Sequence, residues 1–254
     1  MGKKFLVKKE RTTNVDGRKV VLSKFEKHLV DDSKDFSTQY GIIKKSDFKK
    51  SKIKAGKELF YVIEPTFLDH YKQIKRLAQI ISLKDIGPII AHTGINRDSV
   101  VMDAGTGSAG LACFLAKIAK KVISYDINSE HQEVAKNNIE NLKIKNIELK
   151  KGDVFKPAAI KEKDIDVLIL DVTEPWKAIK TAEKVLKTGG YVVSYSPSIT
   201  QVQSFVKALS DKFLYEKSIE VIEREWTVKD LVLRPRMKEL AHTAFLSFAR
   251  KIQK

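Results

Sequence analysis

The chain has very little cysteine, no long apolar run and too few acidic residues to balance its basic ones. Cys113 is the single cysteine among 254 residues, so no internal disulfide can form, and such usage favours a reducing cytoplasm. No stretch approaches the roughly 18 apolar residues of a membrane span. The first residues, MGKKFLVKKE, lack the apolar core of a signal peptide. These absences predict a cytoplasmic protein that does not enter a membrane.

The shortage of acidic residues leaves a large positive charge. There are 48 Lys and Arg against 32 Asp and Glu, a formal net charge of +16. Residues 1–57 alone hold 17 basic and 7 acidic residues, a net charge of +10. A polyanionic partner explains this excess, because each phosphate that a lysine neutralises releases a counterion. The alternative is a solvated lysine-rich surface. No basic amphipathic helix indicates a membrane surface, so we expect nucleic acid as the partner.

The segment VVMDAGTGSAG, residues 100–110, predicts a buried strand, a glycine turn and the start of a helix. Gly105 and Gly107 lack Cβ atoms, so a ligand can approach the backbone at the carboxyl end of the strand. Doubly wound sheets bind their ligands at that edge. Together with Gly110 these glycines also fit the G-x-G-x-x-G pattern of dinucleotide-binding proteins, which alone is weak evidence.

Four acidic residues mark the ends of successive predicted strands. Asp103 ends the first strand, Asp126 ends KVISYD, Asp153 follows IELKKG, and Asp171 ends DVLILD. Asp126 is suited to the hydroxyls of a ribose, and Asp153 to the amino group of an adenine. Dinucleotide binding does not require Asp153 and Asp171. S-adenosylmethionine (SAM) explains all four acids, because it carries a sulfonium and an ammonium and has no pyrophosphate to place at a helix N-terminus.

The order of predicted elements indicates an α/β protein of three parts. Residues 1–64 predict a small basic β module, a barrel or sandwich of short strands, with a turn at Asp16-Gly17. Residues 65–98 predict a helical connector, in which 67–82 form a helix or an extended segment and 85–94 a helix. Residues 99–254 predict a Rossmann-like, doubly wound sheet.

Four segments resemble the tRNA (adenine-N1)-methyltransferases that modify the T-loop. They are DAGTGSAG, DVTEPW at 171–176, GGYVVSYSPSITQV at 189–202 and EREWTVKDLVLRPRMKELAHTAFLSFARK at 223–251. The glycine turn is shared by all class I SAM-dependent methyltransferases, whereas the other segments are more restricted. The resemblance covers the C-terminal two thirds of the chain. It implies a class I SAM-dependent methyltransferase fold, SAM as cofactor, tRNA as substrate, a homotetramer, and methylation at position 58, or at 57 and 58.

The chain departs from the pattern of this family at four positions. Ala109 stands where glycine is usual, and Thr173 replaces the first proline of D-x-P-x-P-W. Asp126 replaces a commoner glutamate and has a shorter reach to the ribose. Ser82 stands where many members carry tyrosine or histidine before a Lys-Asp pair, which removes one aromatic contact to base or cofactor.

Methylation of adenine N1 needs little acid–base chemistry, because N1 already exposes a lone pair. It needs an in-line approach to the sulfonium methyl group and extrusion of the target nucleotide from its stack. Asp171 is the predicted catalytic residue. Its carboxylate would accept a hydrogen bond from the exocyclic amino group and offset the positive charge that develops on the ring.

The predicted site otherwise consists of cofactor-binding and substrate-binding residues, with no metal ligand. The residues predicted to bind SAM are Ile81, Asp103, Gly105, Thr106, Gly107, Ser108, Ala109, Gly110, Asp126, Ile127, His131, Asp153, Val154 and Asp171. The residues predicted to bind substrate are Trp176, Arg234, Arg236 and His242. Core packing is the alternative for Trp176, and ion pairing with Glu239 or Asp230 is the alternative for the two arginines.

Two other functions stay open from the sequence. A SAM-dependent methyltransferase of a small molecule, such as a corrin precursor, would not need the basic N-terminal module. A non-catalytic tRNA-binding subunit of the same fold would have lost the SAM-binding acids, and this chain keeps them. Equilibrium binding of SAM distinguishes such a subunit from an enzyme.

Overall fold

The structure, a computed structural model, describes residues 2–229, 231–236 and 242–253. The chain forms two compact units, an N-terminal unit Met1–Gln73 and a C-terminal unit Ile74–Lys254. The connector that we predict over 65–98 is divided between these units. None of the described helices is long and apolar enough to cross a membrane.

The N-terminal unit consists mainly of short antiparallel strands. They form an open four-stranded sheet in the order β4-β1-β8-β7 and two hairpins, β2–β3 and β5–β6. Asp16 and Gly17 both have positive φ in the turn between β2 and β3, as their sequence predicts. The elements are β1 (Lys3–Lys8), β2 (Arg11–Val15), β3 (Arg18–Ser23), β4 (Glu26–Asp31), β5 (Phe36–Thr38), β6 (Gly41–Ile43), a 3-10 helix (Lys45–Lys49), β7 (Lys52–Ala55), β8 (Glu58–Ile63) and α1 (Phe67–Tyr71).

The C-terminal unit contains a seven-stranded sheet with helices. Its elements begin with α2 (Leu83–Thr93), β9 (Val100–Ala104), α3 (Gly110–Leu115), β10 (Lys121–Asp126), α4 (Ser129–Asn141), β11 (Ile147–Lys151), a 3-10 helix (Pro157–Ala159) and β12 (Ile165–Leu170). They continue with a 3-10 helix (Pro175–Ala178), α5 (Ile179–Val185), β13 (Leu186–Ser196), α6 (Ile199–Ala208), β14 (Phe213–Glu220), β15 (Trp226–Lys229), β16 (Val232–Pro235) and β17 (Phe245–Lys251).

The strand order of the large sheet is β11-β10-β9-β12-β13-β17-β14. The strands from β11 to β13 are parallel, and β17 runs antiparallel to β13 and β14. Val101, Met102, Leu168 and Ile169 are fully buried, because central parallel strands are covered on both faces. The predicted doubly wound α/β sheet is therefore confirmed.

The helix that begins after the glycine turn is short and ends at Leu115. The helix or extended segment predicted over 67–82 is helical only as far as Tyr71. The backbone NH of Lys75 donates to Asn138 Oδ1 at 2.9 Å, and that of Leu77 donates to Ser108 Oγ at 2.9 Å. These tertiary hydrogen bonds use backbone groups that a longer helix would have paired internally.

Candidate active site

The carboxyl ends of the parallel strands meet at one edge of the large sheet. A cavity of about 510 Å³ lies at this edge, a size that suits a small-molecule cofactor. Its lining residues all belong to the C-terminal unit. They are Ala78, Gln79, Ala104, Gly105, Gly107, Tyr125, Asp126, Ile127, His131, Gly152, Asp153, Val154, Phe155, Asp171, Val172, Thr173, Tyr195, Pro197 and Gln201.

The structure brings together more than half of the residues that we predict to bind SAM. Those that line the cavity are Gly105, Gly107, Asp126, Ile127, His131, Asp153, Val154 and Asp171. The others are buried and do not line it: Ile81, Asp103, Thr106, Ser108, Ala109 and Gly110. Several of these support residues that do line it, as their hydrogen bonds show.

The glycine turn brings its backbone close to the neighbouring strand ends. A Cβ atom on Gly105 would lie 3.4 Å from the carbonyl oxygen of Asp171, and Gly107 has φ +51°. The Gly107 NH donates to Asp126 Oδ2 at 2.9 Å. Position 107 therefore favours glycine because of its left-handed φ, whereas a Cβ atom on Gly105 would only make contact with Asp171.

Ala109, the departure from the usual glycine, also adopts a left-handed conformation, with φ 59°. It is the N-cap of α3 and is fully buried. A left-handed conformation costs a residue with a Cβ atom roughly 1–2 kcal/mol relative to the right-handed one. The usual glycine at this position therefore has a physical reason, and this chain tolerates alanine at some cost in backbone energy.

Asp126 is held rigidly at the end of β10. Its Oδ1 accepts from the Asn128 NH at 2.8 Å, and its Oδ2 accepts from the Gly107 NH and lies 3.2 Å from His131 Nδ1. The side chain is 9% exposed and lines the cavity. A carboxylate has about four lone-pair positions, so it can also accept from hydroxyls of a ligand.

Asp103 lies beneath the cavity and is nearly inaccessible to solvent. Its Oδ2 accepts from Ser124 Oγ at 2.7 Å, whereas its buried Oδ1 has no partner among the described residues. Burial raises the pKa of Asp103 to about 7, and the nearby Asp171 and Asp126 carboxylates add to this. Asp103 Oδ1 is therefore a buried acceptor that a ligand's donor could satisfy.

Asp171 follows β12 directly and lines the cavity. Its backbone is fixed to the glycine turn, because its NH donates to the Ala104 carbonyl at 2.5 Å and its carbonyl accepts from the Gly105 NH at 3.3 Å. Burial raises the pKa of the Asp171 carboxyl to about 6. No described residue donates a hydrogen bond to this carboxylate, which leaves it available to a ligand.

At the Asp153 side of the cavity, the Tyr125 ring lies against Gly152. A Cβ atom on Gly152 would come within 3.0 Å of that ring. The Tyr125 hydroxyl donates to the buried Glu162 at 2.5 Å, and Lys150 pairs with the same carboxylate. Asp153 Oδ1 accepts from the Phe155 NH at 2.9 Å, and its side chain is 29% exposed. Asp153 Oδ2 lies 3.6 Å from Lys156 Nζ, and an adenine amino group could share this oxygen.

Ala78 and Gln79 line the cavity although no motif in the sequence indicates it. Asn138 on α4 donates to the carbonyl oxygens of Lys75, at 2.8 Å, and Ser108, at 3.0 Å. Together with the Ser108–Leu77 hydrogen bond, this holds Ala78 and Gln79 at the cavity wall. These residue types are ordinary and their spacing carries no pattern, so only the tertiary contacts reveal them.

Tyr195, Pro197 and Gln201 also line the cavity and are absent from the predicted site. The signal that could have found them is the segment SYSPSITQ, which carries part of the family resemblance. The Tyr195 hydroxyl donates to Asp85 Oδ2 at 3.3 Å, and burial, with Asp85 nearby, raises the pKa of Tyr195. Thr243 Oγ1 donates to the same Asp85 oxygen at 2.8 Å.

The predicted substrate-binding residues lie outside the cavity lining. Trp176 is half-buried in the 3-10 helix Pro175–Ala178, and Arg234 is exposed on β16. Arg236 pairs with Glu225, whereas Glu239 and Asp230, the pairing partners that we considered, lie outside the described residues. His242 lies 2.9 Å from the carbonyl oxygen of the cavity residue Pro197, and its hydrogen bond with Glu220 raises the pKa of the imidazole.

The donors and acceptors of the cavity fit SAM. The unpaired buried oxygen of Asp103 and the free Asp171 carboxylate provide negative charge for a cation. The glycines of the turn leave space at the cavity that a Cβ atom would occupy. Asp126 and Asp153 have oxygens that can accept hydrogen bonds from hydroxyl and amino groups. The described residues contain no group of His, Cys, Asp and Glu arranged to hold a metal ion.

Comparisons with known proteins show the family to which the chain is similar. Residues 58–234 match the family model described as "tRNA methyltransferase complex GCD14 subunit". The tRNA (adenine(57)-N(1)/adenine(58)-N(1))-methyltransferase TrmI of Methanocaldococcus jannaschii is 34% identical and covers 85% of this chain and 87% of its own. A tRNA (adenine(58)-N(1))-methyltransferase TrmI of Thermus thermophilus is 35% identical and covers 77% of this chain and 78% of its own.

Among solved structures, a SAM-dependent O-methyltransferase from Thermotoga maritima is similar to this chain. It superimposes with a TM-score of 0.80 and 27% identity, over 98% of this chain and 93% of its own. The match extends over both units, and it supports the class I methyltransferase fold that the sequence predicts. The chain therefore belongs to the tRNA methyltransferase family described by the GCD14 subunit, and it is an enzyme that uses SAM as methyl donor.

Proposed function

We propose that this enzyme transfers the methyl group of SAM to N1 of adenine 58 in the T-loop of tRNA. The observation that carries the proposal is the Asp171 carboxylate, which has no described donor and belongs to a residue that lines the cavity beside the glycine turn. The names of the relatives from M. jannaschii and T. thermophilus support the position, and the first of them also supports position 57.

Residues at the two ends of the cavity would hold SAM. Asp126 would accept from the ribose hydroxyls and Asp153 from the adenine amino group. Gly105, Gly107 and the supporting Asp103 would face the amino acid end, whose ammonium favours nearby carboxylates. Gln79, Ile127, Val154 and Phe155 are among the other residues of the wall. When bound, SAM supplies a methyl group on a positively charged sulfur.

The residues of the chain have three tasks toward the target base. The Asp171 carboxylate accepts a hydrogen bond from the exocyclic amino group and thereby orients N1. It also stabilises the positive charge that develops on the adenine ring, in a site where burial strengthens that interaction. Tyr195 and Pro197 form part of the cavity wall and keep water from the reacting atoms. No group has to remove a proton before transfer, because N1 carries a lone pair.

Methylation of a small molecule is the less favoured function. The curated relatives that cover most of the chain are named for tRNA, and the M. jannaschii protein matches 85% of this chain. A non-catalytic subunit is disfavoured because Asp103, Asp126, Asp153 and Asp171 are all present at the cavity or beneath it.

Methylation of an unmodified tRNA transcript with radiolabelled SAM tests the proposal. We expect label in the tRNA, and mapping by reverse-transcription arrest should place 1-methyladenosine at position 58. A transcript in which adenine 58 is replaced by guanine is the control and should take up label only if adenine 57 is also a target. Label on free corrin precursors, or none on any tRNA, would refute the proposal.

We also propose a cytoplasmic homotetramer, as the family resemblance implies. Light scattering coupled to gel filtration should then give four times the 28.8 kDa of one chain. A mass of one or two chains at micromolar concentration would contradict this assembly.

A further inference from the structure

We propose that the outer face of the N-terminal sheet binds the phosphate backbone of tRNA through a patch of lysines around Tyr61. The Tyr61 patch consists of Tyr61, Lys9, Lys52, Lys54 and Lys57. This inference rests on the proposed function, since it names a surface for the same tRNA. The patch residues are far from the cavity residues in the sequence. They assign tRNA binding to specific lysines among the many of the N-terminal unit.

The register of the sheet places Lys52 and Lys54 on the face of Tyr61, and Lys57 lies in the turn that joins β7 to β8. Lys52 is the Cα partner of Tyr61, and Lys54 is the partner of Leu59. On β7 the two lysines are exposed, whereas the intervening Ile53 is buried. Because side chains alternate between the faces of a strand, the lysines point away from the core of the unit, which lies on the opposite face.

Two of the ammonium groups lie close to the aromatic ring of Tyr61. Lys9 Nζ lies 5.5 Å and Lys52 Nζ lies 5.7 Å from the ring centroid. Both distances are within the ~6 Å range of cation–π attraction. The ring therefore holds two like charges near each other. Their mutual repulsion is relieved when an anion binds between or over them.

The lysines of the patch are free of acidic partners, unlike most of their neighbours. Among the described residues, Lys9, Lys52, Lys54 and Lys57 form no ion pair. The nearby acids are engaged elsewhere on the unit. Arg11 pairs with Glu58, Lys8 with Glu26, Lys4 with Glu64, Lys27 with Asp69, Lys44 with Asp35 and Lys50 with Asp47. Solubility alone does not require four lysines without acidic partners in one patch.

The chemistry of the patch suits a phosphate backbone better than a base edge. Lysine ammonium groups are point charges without the planar fork that reads a base bidentately. Contacts of this kind fix the position of a nucleic acid without selecting its sequence. An enzyme that modifies one adenine of a large RNA has this requirement, because the rest of the RNA must be held while that base is extruded.

The test compares two variants of the full chain that lose the same charge. The patch variant is Lys9→Ala/Lys52→Ala/Lys54→Ala/Lys57→Ala. The control variant is Lys34→Ala/Lys145→Ala/Lys161→Ala/Lys163→Ala, which removes exposed lysines. Lys145 precedes β11, and Lys161 and Lys163 precede β12, so these three lie at the amino ends of the strands, opposite the cavity. Lys34 lies beyond β4, at the far end of the sheet from Lys9.

We expect the patch variant to bind tRNA at least ~10-fold more weakly than the control variant at about 150 mM salt. The slope of log K against log salt should fall by about 3, because close to one counterion is released for each phosphate contact. SAM affinity and melting temperature should match those of the control. A third variant, Tyr61→Ala, should weaken tRNA binding, whereas Tyr61→Phe, which keeps the ring, should not.

Equal tRNA affinity and equal salt slope in the two variants would overturn the patch. A patch variant that keeps its tRNA affinity but loses binding to phosphatidylserine vesicles would assign the surface to a membrane instead. Failure of the proposed function would be separate, because wild-type protein would then leave tRNA unmethylated whatever the binding result. If wild type methylates tRNA and the two variants bind it equally, only the patch is wrong.

Discussion

At the scale of single residues, two carboxyl groups at or beneath the cavity, those of Asp103 and Asp171, have no basic partner among the described residues. Burial raises the pKa of Asp103 to about 7 and that of Asp171 to about 6. A group buried in this way favours its neutral form until a cation or a donor arrives. Perturbed carboxyl groups at a cavity commonly mark functional sites, and here Asp171 lines the cavity whereas Asp103 is buried beneath it.

Asp171 should determine both the rate of methyl transfer and the loss of activity at low pH. Asp171→Ala is expected to lower the single-turnover rate by roughly 10²–10³, the loss seen when one preorganised electrostatic group is removed. In wild type, kcat/KM should fall as the pH drops through about 6, because a protonated carboxyl cannot carry the compensating charge. Glu174→Ala, in the same loop but outside the cavity lining, should stay within a few-fold of wild type. A rate for Asp171→Ala within a few-fold of wild type would assign the role to another residue.

The Asp103 side chain should destabilise the protein in the absence of SAM and should contribute to SAM binding. Because its folded pKa is raised from 3.8 to about 7, stability of the free protein should decline as the pH rises between these values and then level off. Asp103→Asn should remove that decline and raise the melting temperature at about pH 8, since a neutral amide replaces a buried charge. The same variant should lose most SAM affinity by calorimetry. A lower melting temperature at that pH would show that the charge is compensated in the free protein.

At the scale of elements, a buried polar cluster joins α2, β13 and the segment before β17. Asp85, fully buried near the start of α2, accepts from Ser82 Oγ at 2.8 Å, as well as from Tyr195 and Thr243. Lys84 Nζ donates to Asp85 Oδ1 at 2.8 Å and to the Val221 carbonyl at 2.7 Å. Ser82, the departure from the usual aromatic, thus has a structural partner here. The cluster fixes Tyr195 at the cavity wall.

Breaking this buried pair should destabilise the fold much more than breaking an exposed one. Asp85→Ala leaves Lys84 buried without its counter-charge, which typically costs about 3–5 kcal/mol of unfolding free energy. Glu148→Ala removes the exposed partner of Lys121 and Lys150 and should cost under about 1 kcal/mol. Urea unfolding measures both. Equal losses would mean that Lys84 finds solvent or another acceptor when Asp85 is absent.

At the scale of the whole molecule, the cavity and the densest positive charge lie in different units. The residues that line the cavity all belong to Ile74–Lys254. The densest positive charge lies in residues 1–57, within the other unit. We therefore expect the C-terminal unit to carry out methyl transfer and the N-terminal unit to contribute a large share of the tRNA affinity.

A fragment that begins at Ile74 should separate the two activities. We expect it to bind SAM with an affinity close to that of the full chain, because it keeps every residue that lines the cavity. It should lose most of its tRNA affinity and much of its salt dependence, because the +10 segment is absent. Filter binding measures tRNA affinity, and calorimetry measures SAM affinity. Full tRNA affinity in the fragment would place the binding surface in the C-terminal unit.

The central strands and the acids at their ends were predictable from the sequence alone. β9, β10 and β12 are short apolar runs, and chain direction alone puts Asp103, Asp126 and Asp171 at or beside their carboxyl ends. Parallel strands then bring these ends to one edge whatever the details of packing. This is why the fold class and the core of the candidate site could be inferred without coordinates.

The end of the connector helix and the remaining residues of the cavity wall depend instead on tertiary contacts. The helix stops at Tyr71, and Asn138, far along the chain, pairs with the backbone of Lys75 just beyond it. Tyr195 reaches Asp85 across a separation of 110 residues. The local sequence pattern indicates which face of a helix or strand is buried and where that element ends. A hydrogen bond between distant segments has no periodic trace in the sequence, because it depends on how packed elements place two side chains in space.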